Sequence, residues 1–166
     1  MGVFAQIGSL LGRRSSQRSI HPGEWPEPSG KPRVLIENPD GAELWAHADI
    51  LRDAGYEVAM CAGPTASVPG ERQERTLCPL IGEGHCPLVE GADVVVSTTY
   101  LTDGREILAT LSARNSPALV VEGTRDDLER NSDVIGDAVR VPFPVLPEQI
   151  VEAVERARST RGIDQP

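Results

Sequence analysis

The sequence predicts an α/β fold, a three-layer α/β/α sandwich on five short parallel strands, and three observations carry that prediction. Ala92 to Tyr100 (Ala-Asp-Val-Val-Val-Ser-Thr-Thr-Tyr) places three consecutive β-branched residues after Gly91 and before a helix-start signal, the spelling of a strand buried on both faces. Such a strand belongs in the middle of a parallel sheet covered by helices. Residues 33–61 read strand, helix, strand, a unit that imposes parallel pairing with a right-handed crossover. Strand and helix spellings then alternate to the end of the chain.

Taken in order, Met1 to Leu11 is mildly apolar and is followed by Arg13 and Arg14, the reverse of a signal peptide, whose charges come first. An N-myristoylation pattern fails because Gln6 stands where a hydroxyl is required. Ser15 to Pro32, with Pro22, Pro26, Pro28 and Pro32, reads as linker, so residues 1–32 are expected to be a flexible tail ahead of a domain over 33–160, with 161–166 trailing. Arg33 to Glu37 is the first strand, and Asn38-Pro39-Asp40-Gly41 a turn that can cap the next helix. Ala42 to Ala54 follows as a helix with Leu44, Ala48 and Leu51 on its apolar stripe, Trp45 and His47 off it, and Gly55 as its stop. Tyr56 to Cys61 is the second strand.

A second helix is due before the central strand, yet Gly63 to Gly91 contains four prolines and five glycines and cannot be one regular helix. It carries instead an imperfect tandem octet, Cys-Pro-Leu-Ile-Gly-Glu-Gly-His (78–85) and Cys-Pro-Leu-Val-Glu-Gly-Ala-Asp (86–93). Beyond the central strand, Asp103 and Glu106 spell a capping box for a helix ending near Asn115. Pro117 to Glu122 is a fourth strand, Thr124 to Arg130 a short polar helix, Ala138 to Val141 a fifth strand, and Pro147 to Thr160 a closing helix with Ile150, Val151, Val154 and Ala157 facing in.

With 166 residues the chain suits one domain and a tail. Arg13, Arg14, Arg18, Lys31 and Arg33 against Glu24 and Glu27 give the first 33 residues a net +3, which leaves −12 for the rest of a chain of net charge −9. An acidic body argues against binding nucleic acid through the folded part. Lys31 is the only lysine, which excludes lysine chemistry in the body. Three cysteines, an odd number, fit a reducing cytoplasm better than a disulfide framework. No apolar run approaches the roughly 18 residues of a membrane span, so stable membrane insertion is not expected.

Local spellings give this order a family resemblance over about residues 33–160. Val34-Leu35-Ile36-Glu37-Asn38-Pro39-Asp40 is similar to the first strand and acidic pocket of bacterial response-regulator receiver domains, and Leu51-Arg52-Asp53-Ala54-Gly55-Tyr56-Glu57-Val58 to the end of their first helix and second strand. Gly91-Ala92-Asp93-Val94-Val95-Val96 resembles the approach to their phosphoacceptor, and Val141-Pro142-Phe143 with Pro147-Glu148-Gln149-Ile150 their Lys-Pro-Phe and closing helix. The resemblance implies a flavodoxin-like sheet of order 2-1-3-4-5 and a role in signal transduction. A working receiver needs an acidic pair for Mg²⁺, a phosphoaccepting aspartate, a hydroxyl and a lysine, since a hard cation wants carboxylates and a phosphoryl group wants cations and donors. Here the acidic pair falls on Asn38 and Pro39 with Asp40 nearby, the acceptor on Thr98, the hydroxyl on about Glu122 and the lysine on Val141.

The expectation is therefore a pseudo-receiver: not an enzyme, needing no cofactor, working by contact with a protein partner, with a weak homodimer through the last helix as a further option. The alternative is a cysteine-based redox or metal sensor. Cys61 ends the second strand, and Cys78, His85 and Cys86 lie in the insertion; buried structural thiols, a redox pair between Cys78 and Cys86, and a Cys₃His zinc site all stay open, although Cys-x₇-Cys is no standard zinc spacing. Ser97, Thr98 and Thr99 have no histidine base in the sequence around them, and His21 and His47 read as solvated or satisfied side chains.

Overall fold

The computed structural model describes residues 23–38, 41–61, 79–98 and 116–162. Five strands, β1 (Arg33–Glu37), β2 (Glu57–Cys61), β3 (Val94–Thr98), β4 (Ala118–Gly123) and β5 (Val139–Pro142), form one sheet in the order β2-β1-β3-β4-β5, with every neighbouring pair parallel. This is the order expected from the sequence. The reason β3 sits in the middle is visible in its burial: all five of its residues are covered, as a run of β-branched residues without a polar face requires.

Six helices are described: α1 (Gly41–Asp53), α2 (Pro79–Glu83), α3 (Pro87–Glu90), α4 (Arg125–Arg130), α5 (Ser132–Ile135) and α6 (Pro147–Thr160). The helix expected over Asp103 to Asn115 lies outside the described residues. So do Pro39, Asp40, Cys78, Thr99 and the first part of the Cys/Pro/Gly-rich insertion. The described part of that insertion bears on the tandem octet: the proline of each octet opens a short helix, Pro79 first in α2 and Pro87 first in α3. The equivalent leucines, Leu80 and Leu88, both bury against the sheet.

Alternation along the strands sorts the core into two layers. Val34, Ile36, Met60, Val94, Val96, Ala118, Val120 and Val141 meet Leu44, Ala48 and Leu51 of α1 and Ile150, Ala153, Val154 and Ala157 of α6. On the other side Leu35, Ala59, Val95, Leu119 and Val121 meet Leu80, Leu88, Val89, Leu128 and Ile135 from α2 to α5. Val151, expected to face in, is only partly buried, and Ala153 takes the inner position. The α5 turn has no counterpart in the sequence reading.

Chain reversals follow local chemistry. Gly55, at φ +95°, ends α1 in a Schellman arrangement: Tyr56 N–H bonds to Leu51 C=O and Gly55 N–H to Arg52 C=O, both at 3.0 Å. Thr124 caps α4, its hydroxyl oxygen accepting Asp127 N–H at 3.1 Å. At α6 the Gln149 side-chain oxygen accepts Leu146 N–H at 2.9 Å.

The tail expected to run to residue 32 is joined to the body from Trp25 onward. The Trp25 indole N–H donates to Leu88 C=O at 2.9 Å, its ring lies against Gly91, and the Arg33 guanidinium stands 5.1 Å from the ring centre. Arg33 also donates to Pro26 C=O at 2.6 Å and pairs with Glu57 at 3.0 Å, while its backbone N–H bonds to Asp93 Oδ2 at 2.7 Å. These contacts tie the segment across the amino-terminal edge of β1, β2 and β3, opposite the edge where ligand chemistry gathers in such sheets.

Candidate functional site

Polar side chains are buried at the carboxyl edge of the sheet: Glu37, Asn38, His47, Ser97, Thr98 and Glu122. Placing hydrogen-bonding groups there costs free energy unless they meet partners or neutralise, so an arrangement of six invites a functional explanation.

Strand periodicity divides the group between the two faces. Glu37 and Ser97 share a register position across β1 and β3, and the Ser97 hydroxyl lies 3.4 Å from Glu37 Oε2 on the side of Leu35 and Val95. Thr98 and Glu122 share a register position across β3 and β4, on the opposite side with Val96 and Val120. There α1 brings His47, whose Nδ1 stands 3.4 Å from Glu122 Oε1, an approach without hydrogen-bond alignment. Asn38, just past β1, donates its side-chain amide to Glu43 of α1 at 3.2 Å and its backbone N–H to Cys61 C=O at 3.0 Å.

The electrostatics of the α1 face are dominated by desolvation. Glu122 is 1 % exposed. Burial, with the Glu43 carboxylate as a second contribution, pushes its carboxyl up to about 8. Burial also lowers the His47 imidazole from the ordinary histidine value, against the pull of Glu43 toward the charged form. At neutral pH the pair therefore holds one dissociable proton between a neutral acid and a neutral imidazole. A neutral, covered carboxyl is a poor nucleophile.

His47 departs from the sequence expectation. With Leu44, Ala48 and Leu51 it completes the i, i+3, i+4, i+7 face of α1, and all four are buried. Trp45, by contrast, is exposed as its off-stripe position suggests. Glu37, Glu43 and His47 were not singled out as a group by sequence reasoning; the one available signal was Glu43 and His47 standing four apart on the helix that follows β1.

The other expected site residues fall as follows. Asn38, Thr98 and Glu122 are gathered at this edge, and Pro39 and Asp40 lie outside the described residues. Val141 points into the α1/α6 layer beside Glu122 in register, and the cis peptide bond is Phe143–Pro144. Cys61 and Cys86 are half-buried, both against the layer that contains Leu80 and Leu88. His85 turns to Glu90, 2.6 Å from Nδ1 to Oε1, and that hydrogen bond raises its pKa. Among the described residues no three His, Cys, Asp or Glu side chains are grouped as a metal site requires.

Solved structures with the same architecture include receiver domains. A receiver domain protein from Clostridium thermocellum is 14 % identical with a TM-score of 0.59, the match covering 81 % of this chain and 99 % of that one. A receiver domain protein from Methanospirillum hungatei is 16 % identical with a TM-score of 0.57, covering 81 % and 99 %. A pilus assembly-related protein from Burkholderia pseudomallei is 18 % identical with a TM-score of 0.57, covering 82 % and 96 %. The sequence matches no family model and no curated protein. At these identities the likeness defines the fold, a flavodoxin-like sandwich of the receiver type. No described helix is long and apolar enough to cross a membrane.

Proposed function

We propose that the chain is a pseudo-receiver, a signalling module that works by contact with protein partners in the cytoplasm and accepts no phosphoryl group on aspartate. The observation that carries this reading is the register pair Thr98 and Glu122. Relative to a receiver, hydroxyl and carboxyl have exchanged strands: the hydroxyl stands where the acceptor is expected and the carboxyl where the hydroxyl is expected. Glu122 is no substitute acceptor, being covered and neutral at pH 7. With Lys31 the sole lysine, the body also lacks the ammonium that would pair with a phosphoryl group.

A contact surface at the same edge supports the binding half of the reading. Trp45, in the first turns of α1, and Leu146, just before α6, are the large apolar side chains left exposed among the described residues. Both stand near the carboxyl edge, Trp45 on α1 and Leu146 at the N-cap of α6, and the two helices pack against each other. Exposed aromatic and aliphatic anchors of this kind are common at protein interfaces. Incubation with acetyl phosphate and Mg²⁺, read by intact mass and by amide shifts, is expected to leave mass and spectrum unchanged. An acid-labile phosphoryl adduct would sink the proposal.

A second reading has one observation in its favour: Cys61 and Cys86 border the same apolar layer, and Cys86 stands immediately before α3, which holds Trp25. A thiol switch there would reach the amino-terminal strap. Thiol titration and elemental analysis of anaerobically purified protein decide it, and the pseudo-receiver reading expects three reactive thiols after unfolding and no bound metal.

A further inference from the structure

We propose that residues 3–18 are a lipid-surface anchor, a short amphipathic segment that seats its apolar side chains in the headgroup region of an anionic bilayer and holds the receiver-like body beside that surface. The anchor lies on the surface and does not span it. It goes beyond the pseudo-receiver reading and does not depend on it.

The sequence carries both chemistries that such a surface recognises. At the helical period of about 100° per residue, Val3, Phe4, Ile7, Leu10 and Leu11 fall within an arc of about 120°, and Gln6, Ser9, Gly12 and Arg13 fall outside it. Arg13, Arg14 and Arg18 follow, and no carboxylate precedes Glu24. Helices of this length are marginal in water, but at an interface the burial of one apolar face drives their formation. The long arginine side chains lay their stems along that face and carry the guanidinium to the lipid phosphates. A nucleic acid would satisfy the arginines and offer no apolar phase to Phe4, Ile7 and Leu10.

The structure fixes where the anchor joins the body. Trp25 is pinned at the amino-terminal edge of the sheet by its bond to Leu88 C=O, its contact with Gly91 and the Arg33 guanidinium over its ring, and Arg33 holds the next residue through Pro26 C=O. Ser19 to Glu24 link the anchor to this pin and span about 20 Å at full extension. The amino-terminal edge is thereby tethered to the lipid, and the carboxyl edge with Trp45 and Leu146 stays open to partners. The body offers the apolar arc no comparable seat near the pin: the slot there is filled by Trp25, and the large apolar side chains exposed among the described residues, Trp45 and Leu146, stand at the other edge. With −12 on the rest of the chain, the body is itself repelled by an anionic surface, so binding falls to the anchor.

Co-sedimentation of the intact chain with vesicles tests the anchor. Binding is expected to vesicles of two parts phosphatidylcholine to one part phosphatidylglycerol, and to be far weaker with phosphatidylcholine alone. Changing Arg13, Arg14 and Arg18 together to Gln is expected to lower partition about a hundredfold, roughly fivefold for each charge at an anionic surface. Ile7→Asp with Leu10→Asp is expected to abolish it, since each places a charge within the apolar arc. Both sets of changes lie ahead of the Trp25 pin and leave the described body untouched. A chain that stays in the supernatant with either vesicle, equal binding to phosphatidylcholine alone, or binding that survives Ile7→Asp with Leu10→Asp overturns the anchor. So does a lipid-free dimer in analytical ultracentrifugation that the same two changes dissolve, because the apolar arc would then be occupied by protein.

Discussion

Gly91→Ala is expected to expel Trp25 from the amino-terminal edge of the sheet and to cost about 2 kcal/mol of folding free energy. A Cβ on residue 91 would stand 2.5 Å from Trp25 Cδ1, 2.9 Å from Nε1 and 3.1 Å from Pro87 C=O. The carbonyl belongs to the first turn of α3 and has little freedom to retreat; the indole, half-buried, can swing outward. It then loses its hydrogen bond to Leu88, its contact with the apolar layer and its stacking under Arg33. If Trp25 is the cause, Trp25→Ala costs a similar amount and the double variant no more than Trp25→Ala alone, a coupling that urea denaturation at constant m measures. In a Trp45→Phe background, Gly91→Ala shifts Trp25 emission to the red. Additive costs, or unchanged emission, would remove the strap from the account of stability.

Ile36→Ala is expected to cost about 4 kcal/mol, the largest loss from a single apolar truncation proposed for this chain. Ile36 has no exposed surface and lies in β1, between Met60 of β2 and Val96 of β3. The cavity it leaves is walled by strands bonded on both sides, which limits collapse. Leu146→Ala removes a similar volume from a side chain 56 % exposed and is expected to stay within about 0.5 kcal/mol of the parent. Chemical denaturation of the two variants side by side checks the contrast, and a cost below about 1 kcal/mol at Ile36 would contradict the packing described for β1.

Much of the architecture was legible before any coordinates. Val94, Val95 and Val96 could be nothing but an interior strand, because three consecutive covered β-branched residues leave no face for water. Leu44, Ala48 and Leu51 marked α1, Gly55 its end, and Pro147 the start of α6 at the residue where it begins. The parallel strands then had few ways to connect, and the order β2-β1-β3-β4-β5 follows the resemblance.

The site was legible only in part, and the residues show why. Thr98 and Glu122 were each placed from local spelling, yet their being register partners is a property of β3 pairing with β4. His47 occupies a stripe position on α1, and a polar residue on a stripe is buried only if the sheet offers it something; Glu122, far along the chain, is what it meets. Trp25 sits among prolines and charges that read as linker, and the slot that receives it is made by Leu88, Gly91 and Arg33 together.

By itself the sequence determined the five strands, the helices α1 and α6, which strand is central, and that neither an acceptor aspartate at the tip of β3 nor a lysine in the body is available. Only the tertiary structure decided that a histidine and a glutamate from separate elements share one dry space and that the amino-terminal segment is part of the body from Trp25 onward. The division has a physical cause. Periodicity and turn chemistry act between near neighbours in the chain, whereas desolvation of a charge depends on every element that closes around it, and those elements come together only when the sheet is assembled.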